Sequence, residues 1–360
     1  MKISAILVNY HSADLLAGAV ASIQAQETED ELEIIVVDNS ESATEFAHLQ
    51  SLLGPAVTLI RNPHNSGFAA ACNTAFKQAG GDAILLLNPD ARLLPGALTN
   101  LTRCLFASPS TGGVGPLTFW DEGCRFMLPP STFPSLPNHL RRAFANLHPR
   151  LRLRHSRRFR QKALALWTAQ RPVRVEALSG GHVLLKRSAL DKAGGLFDEC
   201  FFMYWEDSDL MQRLQRAGYR LYVVPQARAL HHYDHHPGKD ALMAQSWAPY
   251  HQRYIQGHWR ARLSARLEHH AHPFWPDTTN LPVAPGCPIR IDVPASLQAG
   301  WLLEVSPAPD FVPAMGRLGS GPLAEIPAEC WQRFTKGRYY VRLAAASPRL
   351  RHFQCWSWNG

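Results

Sequence analysis

The first hundred residues alternate short apolar runs with amphipathic segments. The apolar runs are Lys2 to Val8, Leu32 to Val37, Val57 to Ile60 and Ala83 to Leu87. Between them, apolar positions recur at helical spacing, as at Leu16, Val20 and Ile23. Continuous apolar strands separated by amphipathic helices are typical of a mostly parallel sheet with helices on both faces. This half of the chain is therefore predicted to have an α/β fold.

Polar side chains follow three of these runs, at the point where each predicted strand ends. They are Asn9 and Tyr10 after the first run, Asp38, Asn39 and Ser40 after the second, and Asn88 and Asp90 after the run that ends at Leu87. Each alone is also explained as a helix cap or a turn residue. Open α/β sheets bind ligands beyond the carboxyl ends of their strands, so three such groups together favour a binding crevice.

The remainder of the chain is organised differently. Residues 123 to 175 contain several prolines, twelve Lys or Arg residues and no Asp or Glu, so this segment makes the chain basic at a net charge of +8. We interpret it as an insertion or surface arm in a domain spanning residues 1 to 235. A strand from Val175 to Leu185 and a helix from about Glu206 that ends before Gly218 are predicted beyond it. A helical segment at 236 to 276 and a small, sandwich-like antiparallel β domain at 277 to 360 complete the prediction.

Several familiar signatures are absent from the sequence. It contains no GxGxxG after the first strand, no GxxxxGK[ST], no HExxH and no GxSxG, which argues against a dehydrogenase, a P-loop ATPase, a zincin and a serine hydrolase. The seven cysteines lack the CxxC spacing of zinc or redox sites. No apolar run reaches the roughly 18 residues of a spanning helix, so we expect a cytoplasmic protein.

Two adjacent carboxylates, Glu206 and Asp207, begin a predicted helix directly after the aromatic run Phe201 to Trp205. Acidic residues are favoured at helix N-termini for structural reasons alone. A carboxylate beside an aromatic, sugar-binding surface can also act as a general base toward a hydroxyl group.

A second candidate site follows the strand that ends at Leu87. Asp90 could bind a divalent cation that carries a diphosphate, because hard cations prefer oxygen ligands. His231 or His232 could add an imidazole ligand. Seventeen histidines occur in the chain, so a solvated histidine-rich loop is the alternative interpretation.

Together these residues carry a resemblance to a known family. The motifs, in chain order, are Val8-Asn9-Tyr10, VVDNS at 36 to 40, NPHNSGFAAACN at 62 to 73, Leu87-Asn88-Pro89-Asp90, Ser179-Gly180-Gly181 and FFMYWEDSDL at 201 to 210. Over about residues 1 to 260 the chain resembles the inverting family-2 glycosyltransferases with a GT-A fold. It is most similar to their bacterial rhamnosyltransferase-like branch.

The resemblance implies a donor site for a nucleotide sugar. Tyr10 and Asp38 correspond to the pair that holds the nucleobase and ribose, while Asn65 and Gly67 correspond to a donor-site loop. Asn88 and Asp90 occupy the place of the family's metal-binding Asp-x-Asp motif, with Asn88 replacing the first acid, so the donor contacts comprise these six residues.

The resemblance also implies the catalytic, acceptor and metal residues. Asp207 corresponds to the catalytic base with Glu206 as its neighbour, and Gly181 and Trp205 are predicted on the acceptor side. Asp90 and His231 are the predicted ligands of a divalent cation, Mg²⁺ or Mn²⁺. The implied reaction moves a sugar, with dTDP-rhamnose as the expected donor, to a glycan or polyprenyl-diphosphate-linked acceptor in bacterial surface polysaccharide synthesis.

The basic segment allows several interpretations. Residues 141 to 162 interleave Arg with apolar residues, which favours contact with an anionic membrane surface and hence a peripheral location on the inner face of the cell membrane. A solvated arm is the plain alternative, and no nucleic-acid-binding motif is present. The rival functions are a non-catalytic sugar-nucleotide or glycan-binding protein and a basic nucleic-acid-binding protein.

Overall fold

The computed structural model describes residues 1–232, 239–274, 276–284, 286–350 and 353–359. The predicted domain boundary between residues 235 and 236 lies outside these ranges.

A central mixed sheet organises the first 231 residues. Its strands are β1 (Lys2–Asn9), β2 (Glu31–Asp38), β3 (Val57–Arg61), β4 (Ala83–Leu87), β5 (Ala91–Leu93), β6 (Thr111–Phe119), β7 (Val173–Val175), β8 (His182–Lys186) and β9 (Arg220–His231). The order is β3-β2-β1-β4-β8-β6-β9-β5, and β7 pairs with β9. The first four strands in this order are parallel, whereas β8 runs antiparallel to both β4 and β6.

Helices cover both faces of this sheet. They are α1 (Ala13–Gln24), α2 (Ala43–Leu52), α3 (Phe68–Gln78), α4 (Ala97–Phe106), α5 (Leu136–Asn146), α6 (Pro149–Trp167), α7 (Arg187–Lys192), α8 (Glu206–Arg216), α9 (Lys239–Tyr254) and α10 (Trp259–Glu268). Alternate residues of β1 face opposite ways: Leu7 packs in the core that contains Leu16 of α1, and Ile6 packs in the core that contains Ala71 of α3. The α/β prediction is confirmed.

The prediction of one strand from Val175 to Leu185 is wrong. Strand β7 ends at Val175 and β8 begins at His182, with a turn at Gly180 and Gly181 between them. Strand β9 continues as far as His231. Helix α8 stops where predicted, because Gly218 has a positive φ of 90° that side-chain-bearing residues rarely adopt.

The C-terminal part is a β unit. Its strands are β10 (Thr279–Asn280), β11 (Ile289–Asp292), β12 (Trp301–Ser306), β13 (Met315–Gly319), β14 (Leu323–Ile326), β15 (Arg338–Ala345) and β16 (Phe353–Asn359). Five form a sheet in the order β10-β16-β15-β12-β13, and β11 pairs with β14. Trp301 and Trp358 are buried in its core together with Trp120 and Phe126, which follow β6. The unit therefore shares a core with the N-terminal part.

The basic segment is not a free arm. It forms α5 and α6, and α6 packs against the C-terminal β unit through a buried cluster of charges. Glu304 of β12 accepts hydrogen bonds from Arg160 of α6 and, at 2.8 Å through each carboxylate oxygen, from Arg342 of β15. All three residues are at most 2% exposed. Arg160 consequently belongs to the interior, whereas the sequence placed it on a surface arm.

No helix in the described ranges is both long and apolar enough to cross a membrane.

We expect Glu304→Gln to lower the free energy of unfolding by about 3–5 kcal/mol, because it leaves two buried guanidinium groups without their carboxylate. Glu325→Gln is the matched control, since Glu325 pairs with a mostly exposed Arg290 at 3.2 Å and exposed pairs contribute about 1 kcal/mol or less. Urea denaturation of both variants measures the difference. Equal small losses would show that the buried cluster does not hold α6 on the β unit.

Candidate active site

The carboxyl ends of β1 and β2 form a hydrogen-bonded pair of polar residues. Asn9 lies opposite Asp38 in the strand register and donates to it at 2.9 Å. The backbone N–H of Ser40 and its hydroxyl group also donate to Asp38, at 3.2 and 3.1 Å. Asp38 is only 1% exposed. It thus shapes the loop after β2, a structural role that sequence reasoning missed, and its donor contact stays a prediction.

The predicted donor loop connects to the aromatic run. Asn65 accepts from Asn39 at 2.7 Å and from the backbone N–H of Gly67 at 3.0 Å. A Cβ atom on Gly67 would lie 2.5 Å from the carbonyl oxygen of Phe202, and its φ is 83°. Only glycine fits here, so Gly67 brings the donor loop against the segment that precedes α8. Tyr10 lies at the surface, 41% exposed, after β1.

The predicted metal ligands are neighbours in the structure. Strand β5 places Ala91 opposite His231 of β9, and the carboxylate Oδ1 of Asp90 lies 3.3 Å from His231 Nε2. His232 instead pairs with Glu122 at 3.1 Å. The side chain of His231 is thus the one beside Asp90, and its role as a metal ligand stays a prediction.

Gly181 packs against this pair. Its carbonyl oxygen accepts from the backbone N–H of Asn88 at 2.8 Å. A Cβ atom at Gly181 would lie 2.7 Å from Asn88 Nδ2 and 3.1 Å from His231 Cε1. The turn between β7 and β8, the end of β4 and the end of β9 thus meet without room for a side chain.

His182 belongs to the same group, although sequence reasoning did not select it. Its ring meets that of His231 edge-on at 5.2 Å, and it is 8% exposed. Burial, followed by the neighbouring His231, lowers the pKa of His182 to about 3, so the ring is neutral near pH 7. In the sequence, only its position directly after the Ser179-Gly180-Gly181 motif could have indicated that His182 belongs to the site.

Glu206 and Asp207 open α8 in two different environments. Asp207 accepts from the backbone N–H of Gly180 at 3.3 Å, and from the N–H and hydroxyl of Ser208 at 2.6 and 3.2 Å. Glu206 is 6% exposed, and its Oε2 is buried with no hydrogen-bond partner among the described residues. The two preceding residues, Tyr204 and Trp205, have φ angles of 71° and 70°, a strained conformation that concentrates at functional sites.

These environments separate the protonation states of the two carboxyl groups. Burial raises the pKa of both, and for Glu206 burial together with the charge of Asp207 raises it to about 8. Hydrogen bonds donated by Gly180 and Ser208 oppose the rise at Asp207 because they stabilise its charged form. The hydrogen bonds therefore favour the charged form at Asp207, whereas Glu206 is the neutral acid at neutral pH.

Asp209, one turn into α8, anchors the helix. It is fully buried and accepts from Arg213 Nε at 2.7 Å, Arg253 at 2.7 Å and the Tyr254 hydroxyl at 2.6 Å. Arg253 and Tyr254 lie at the end of α9, so Asp209 ties α9 to the helix that carries Asp207. Sequence reasoning missed this role because the partners lie 44 and 45 residues away.

Trp205 lies in a cluster of aromatic rings beside the two carboxyl groups. Its ring centroid is 5.1 Å from that of Trp247 and 5.7 Å from that of Tyr250, and its indole N–H donates to the Met243 carbonyl at 2.9 Å. With that N–H bonded inside the protein, the ring face is what Trp205 can offer a ligand. Its acceptor role stays a prediction.

The two groups of candidate residues lie next to each other. Burial raises the pKa of Tyr204, and the carboxyl groups of Glu206 and Asp90 raise it further. Gly180 contacts Asp207 while Gly181 contacts Asn88. The predicted catalytic and metal residues therefore meet around this glycine pair.

The described residues contain no group of three or more His, Cys, Asp or Glu side chains that could hold a metal ion by themselves. A carboxylate oxygen and an imidazole nitrogen 3.3 Å apart can still share one cation. Mg²⁺ is usually bound by one or two carboxylates, with water and substrate phosphates as further ligands. Asp90 and His231 fit such an incomplete protein site.

Comparison with known proteins identifies the family. The model of glycosyl transferase family 2 matches residues 4–177. An N-acetylglucosaminyl-diphospho-decaprenol L-rhamnosyltransferase of Mycobacterium tuberculosis (strain CDC 1551 / Oshkosh) is 33% identical over 285 residues, which cover 72% of this chain and 86% of that protein. The chain belongs to glycosyltransferase family 2. The family assignment and the prediction of an enzyme are thus confirmed.

This family-2 glycosyltransferase has further relatives. Rhamnosyltransferase WbbL of Escherichia coli (strain K12) is 26% identical over 243 residues, covering 65% of this chain and 84% of that protein. The solved structure of mannosyltransferase PcManGT from Pyrobaculum calidifontis in complex with GDP-Man and Mn²⁺ aligns with a TM-score of 0.49 and 19% identity, over 74% of this chain and 73% of that one.

We expect the contribution of Glu206 to the stability of this glycosyltransferase to fall as pH rises from about 5 to about 8. Over this range the folded protein keeps a proton on Glu206, whose pKa is raised to about 8, whereas the unfolded chain releases it. This one group therefore makes folding less favourable as pH rises. Glu206→Gln removes this titration, so the free energy of unfolding of the wild type should decrease relative to that of the variant by up to about 3 kcal/mol.

Urea denaturation at pH 5.5 and pH 8 measures the effect. Glu29→Gln, at an exposed site, is the control and should follow the wild type. A Glu206→Gln variant with the same pH dependence as the wild type would contradict the neutral state of Glu206.

Proposed function

We propose that this glycosyltransferase is an inverting rhamnosyltransferase. It would transfer rhamnose from dTDP-rhamnose to a polyprenyl-diphosphate-linked glycan during synthesis of a bacterial surface polysaccharide. The similarity to a rhamnosyltransferase of diphospho-decaprenol, 86% of which this chain covers, supports the donor sugar and the acceptor class. The single observation that carries the mechanism is that Gly180 and Ser208 donate hydrogen bonds to Asp207, whereas the neighbouring Glu206 is buried with its Oε2 unpartnered among the described residues.

Asp207 acts as the general base. The acceptor hydroxyl gives its proton to Asp207 while its oxygen forms a bond to the anomeric carbon. The bond from that carbon to the nucleoside diphosphate breaks on the opposite face, so the anomeric configuration inverts. Positioned general bases contribute about 10²- to 10⁴-fold in rate. Neutral Glu206 leaves Asp207 without a second anion beside it.

The donor lies across the carboxyl ends of β1, β2 and β4. Tyr10 offers an exposed ring to the nucleobase, and Asp38 with its network fixes the loop beside the ribose. Asn65 and Gly67, joined by a hydrogen bond, close the other side of this pocket, and Gly67 packs against Phe202 before α8. Asn88, held by Gly181, faces the diphosphate end.

Asp90 and His231 would hold a divalent cation, Mg²⁺ or Mn²⁺. Such a cation, when bound, neutralises charge on the departing diphosphate. On the acceptor side, Gly181 leaves room beside Asn88 and His231, and the ring face of Trp205 would support a sugar.

The same proposal places the enzyme on the inner face of the cell membrane. Six arginines of the predicted membrane segment 141 to 162 are exposed: Arg141, Arg142, Arg150, Arg154, Arg157 and Arg158. Each basic residue near an anionic lipid surface adds about 1 kcal/mol of attraction. Phe144 and Leu151 are also exposed, at 44% and 41%, and would enter the interface.

Asp207→Asn tests the base assignment. We expect donor binding to be unchanged and the transfer rate to fall by at least about 10²-fold, because the amide cannot accept the acceptor proton. Rhamnosyl transfer from dTDP-rhamnose to a lipid-linked acceptor is measured by product chromatography. The control Asp191→Asn removes an exposed carboxylate from α7 and should transfer normally. Transfer by Asp207→Asn near the wild-type rate would exclude Asp207 as the base.

Calorimetric titration tests the donor and the cation without an acceptor. We expect dTDP-rhamnose to bind more tightly than UDP- or GDP-linked sugars, and EDTA to weaken its binding at least tenfold. Asp90→Asn should remove most of the EDTA sensitivity, because it deletes the carboxylate ligand. Equal binding with and without EDTA would argue against a cation at Asp90 and His231.

A further inference from the structure

A cavity of about 550 Å³ lies among α5, α6 and α10, away from the catalytic residues. Apolar side chains from α5 and α6 form part of its lining, namely Leu140, Phe144 and Leu151. Phe144 and Leu151 are unusually exposed for large apolar residues, at 44% and 41%. The cavity is therefore an open apolar groove rather than a packing defect.

Four arginines surround this apolar floor: Arg141, Arg154, Arg158 and Arg260. None of the described residues that line the groove is acidic. Guanidinium groups bind phosphate oxygens in bidentate fashion, and several around one point suit a diphosphate. The groove thus complements an amphiphile: its arginines match an anionic head group, and its apolar floor matches an apolar tail.

The groove adjoins the element that carries the catalytic carboxylate. Leu136, the first residue of α5, and Ala261 of α10 pack in the same cluster as Trp205 and Tyr250. The Tyr250 hydroxyl also donates to the Pro134 carbonyl, just before α5, at 3.0 Å. Groove and active site are therefore on opposite sides of one aromatic cluster.

We propose that this groove binds the prenyl diphosphate part of the lipid-linked acceptor. The arginines hold the diphosphate and the apolar floor holds the first isoprene units, while the sugar reaches past Trp205 to Asp207. This inference rests on the proposed function, since it requires a prenyl-diphosphate-linked acceptor. It differs from general attraction to an anionic membrane, because it requires particular arginines rather than total charge.

Calorimetric titration of the full-length protein with farnesyl diphosphate, below its micelle-forming concentration, tests the groove directly. We expect Arg154→Glu/Arg158→Glu to weaken binding at least tenfold. The control Arg150→Glu/Arg171→Glu makes the same charge change at exposed arginines that do not line the groove, and should bind within twofold of the wild type. Inorganic pyrophosphate should bind the wild type at least tenfold more weakly than farnesyl diphosphate.

A second variant tests the apolar floor without altering charge. Phe144→Ser should weaken farnesyl diphosphate binding at least fivefold and leave pyrophosphate binding unchanged. Thermal melting of each variant verifies the fold. Equal losses in the two double-arginine variants would overturn the proposal in favour of general electrostatics, and so would a wild type that does not bind farnesyl diphosphate.

The binding experiment contains neither donor nor turnover, so its failure is separable from failure of the proposed function. Rhamnosyl transfer to a lipid-linked acceptor with an unchanged KM in Arg154→Glu/Arg158→Glu would overturn the groove and leave the function intact. Farnesyl diphosphate binding that depends on these arginines, in a protein that transfers no rhamnose, would support the groove and refute the function.

Discussion

The close approach of three chain segments at Gly180 and Gly181 is the constraint on which the active site depends. A Cβ atom at the first glycine would lie 3.0 Å from Asp207 Cβ, and one at the second would lie 2.7 Å from Asn88 Nδ2. Backbone without side chains therefore joins the N-terminus of α8 to the end of β4. Because β9 also reaches this point with His231, the glycine pair sets the separation between the proposed base and the proposed cation ligands. The rest of the sheet positions these three segments.

A second constraint is that two adjacent carboxyl groups lie in different environments. Asp207 and Glu206 are neighbours on one helix, yet only Asp207 receives hydrogen bonds from Gly180 and Ser208. The low-dielectric surroundings of Glu206 keep it protonated at neutral pH, and the site then holds one negative charge where it could have held two. Asp209 adds a third acid whose charge is neutralised by arginines. One short acidic motif thus contains the proposed base, a neutral acid and a structural anchor.

The sequence predicted the features that depend on local pattern. Apolar runs located the strands of the parallel half, and polar residues after them located the crevice. The sequence did not predict the features that depend on contacts between distant residues, because neither residue of such a pair can be recognised by itself. Arg160 looked like a surface residue until the fold placed it on Glu304, 144 residues away. The turn at Gly180 was read as strand, since the apolar residues on both sides continued the pattern. The shape of the pocket decides which of the predicted donor residues contact a ligand. The spacing of apolar residues along the sequence does not reveal that shape.

The buried charges that join α6 to the C-terminal β unit have a consequence for how the protein can vary. Helix α6 presents Arg154 and Arg158 to the groove and Arg160 to Glu304. The β unit therefore sets the axial rotation of the helix that forms one wall of the groove, although it contributes none of the residues that line it. Exchange of this unit with that of another enzyme would re-aim the arginines of the proposed prenyl diphosphate groove. Variation in a unit that contributes no lining residue could thus alter the ligand that the groove accepts.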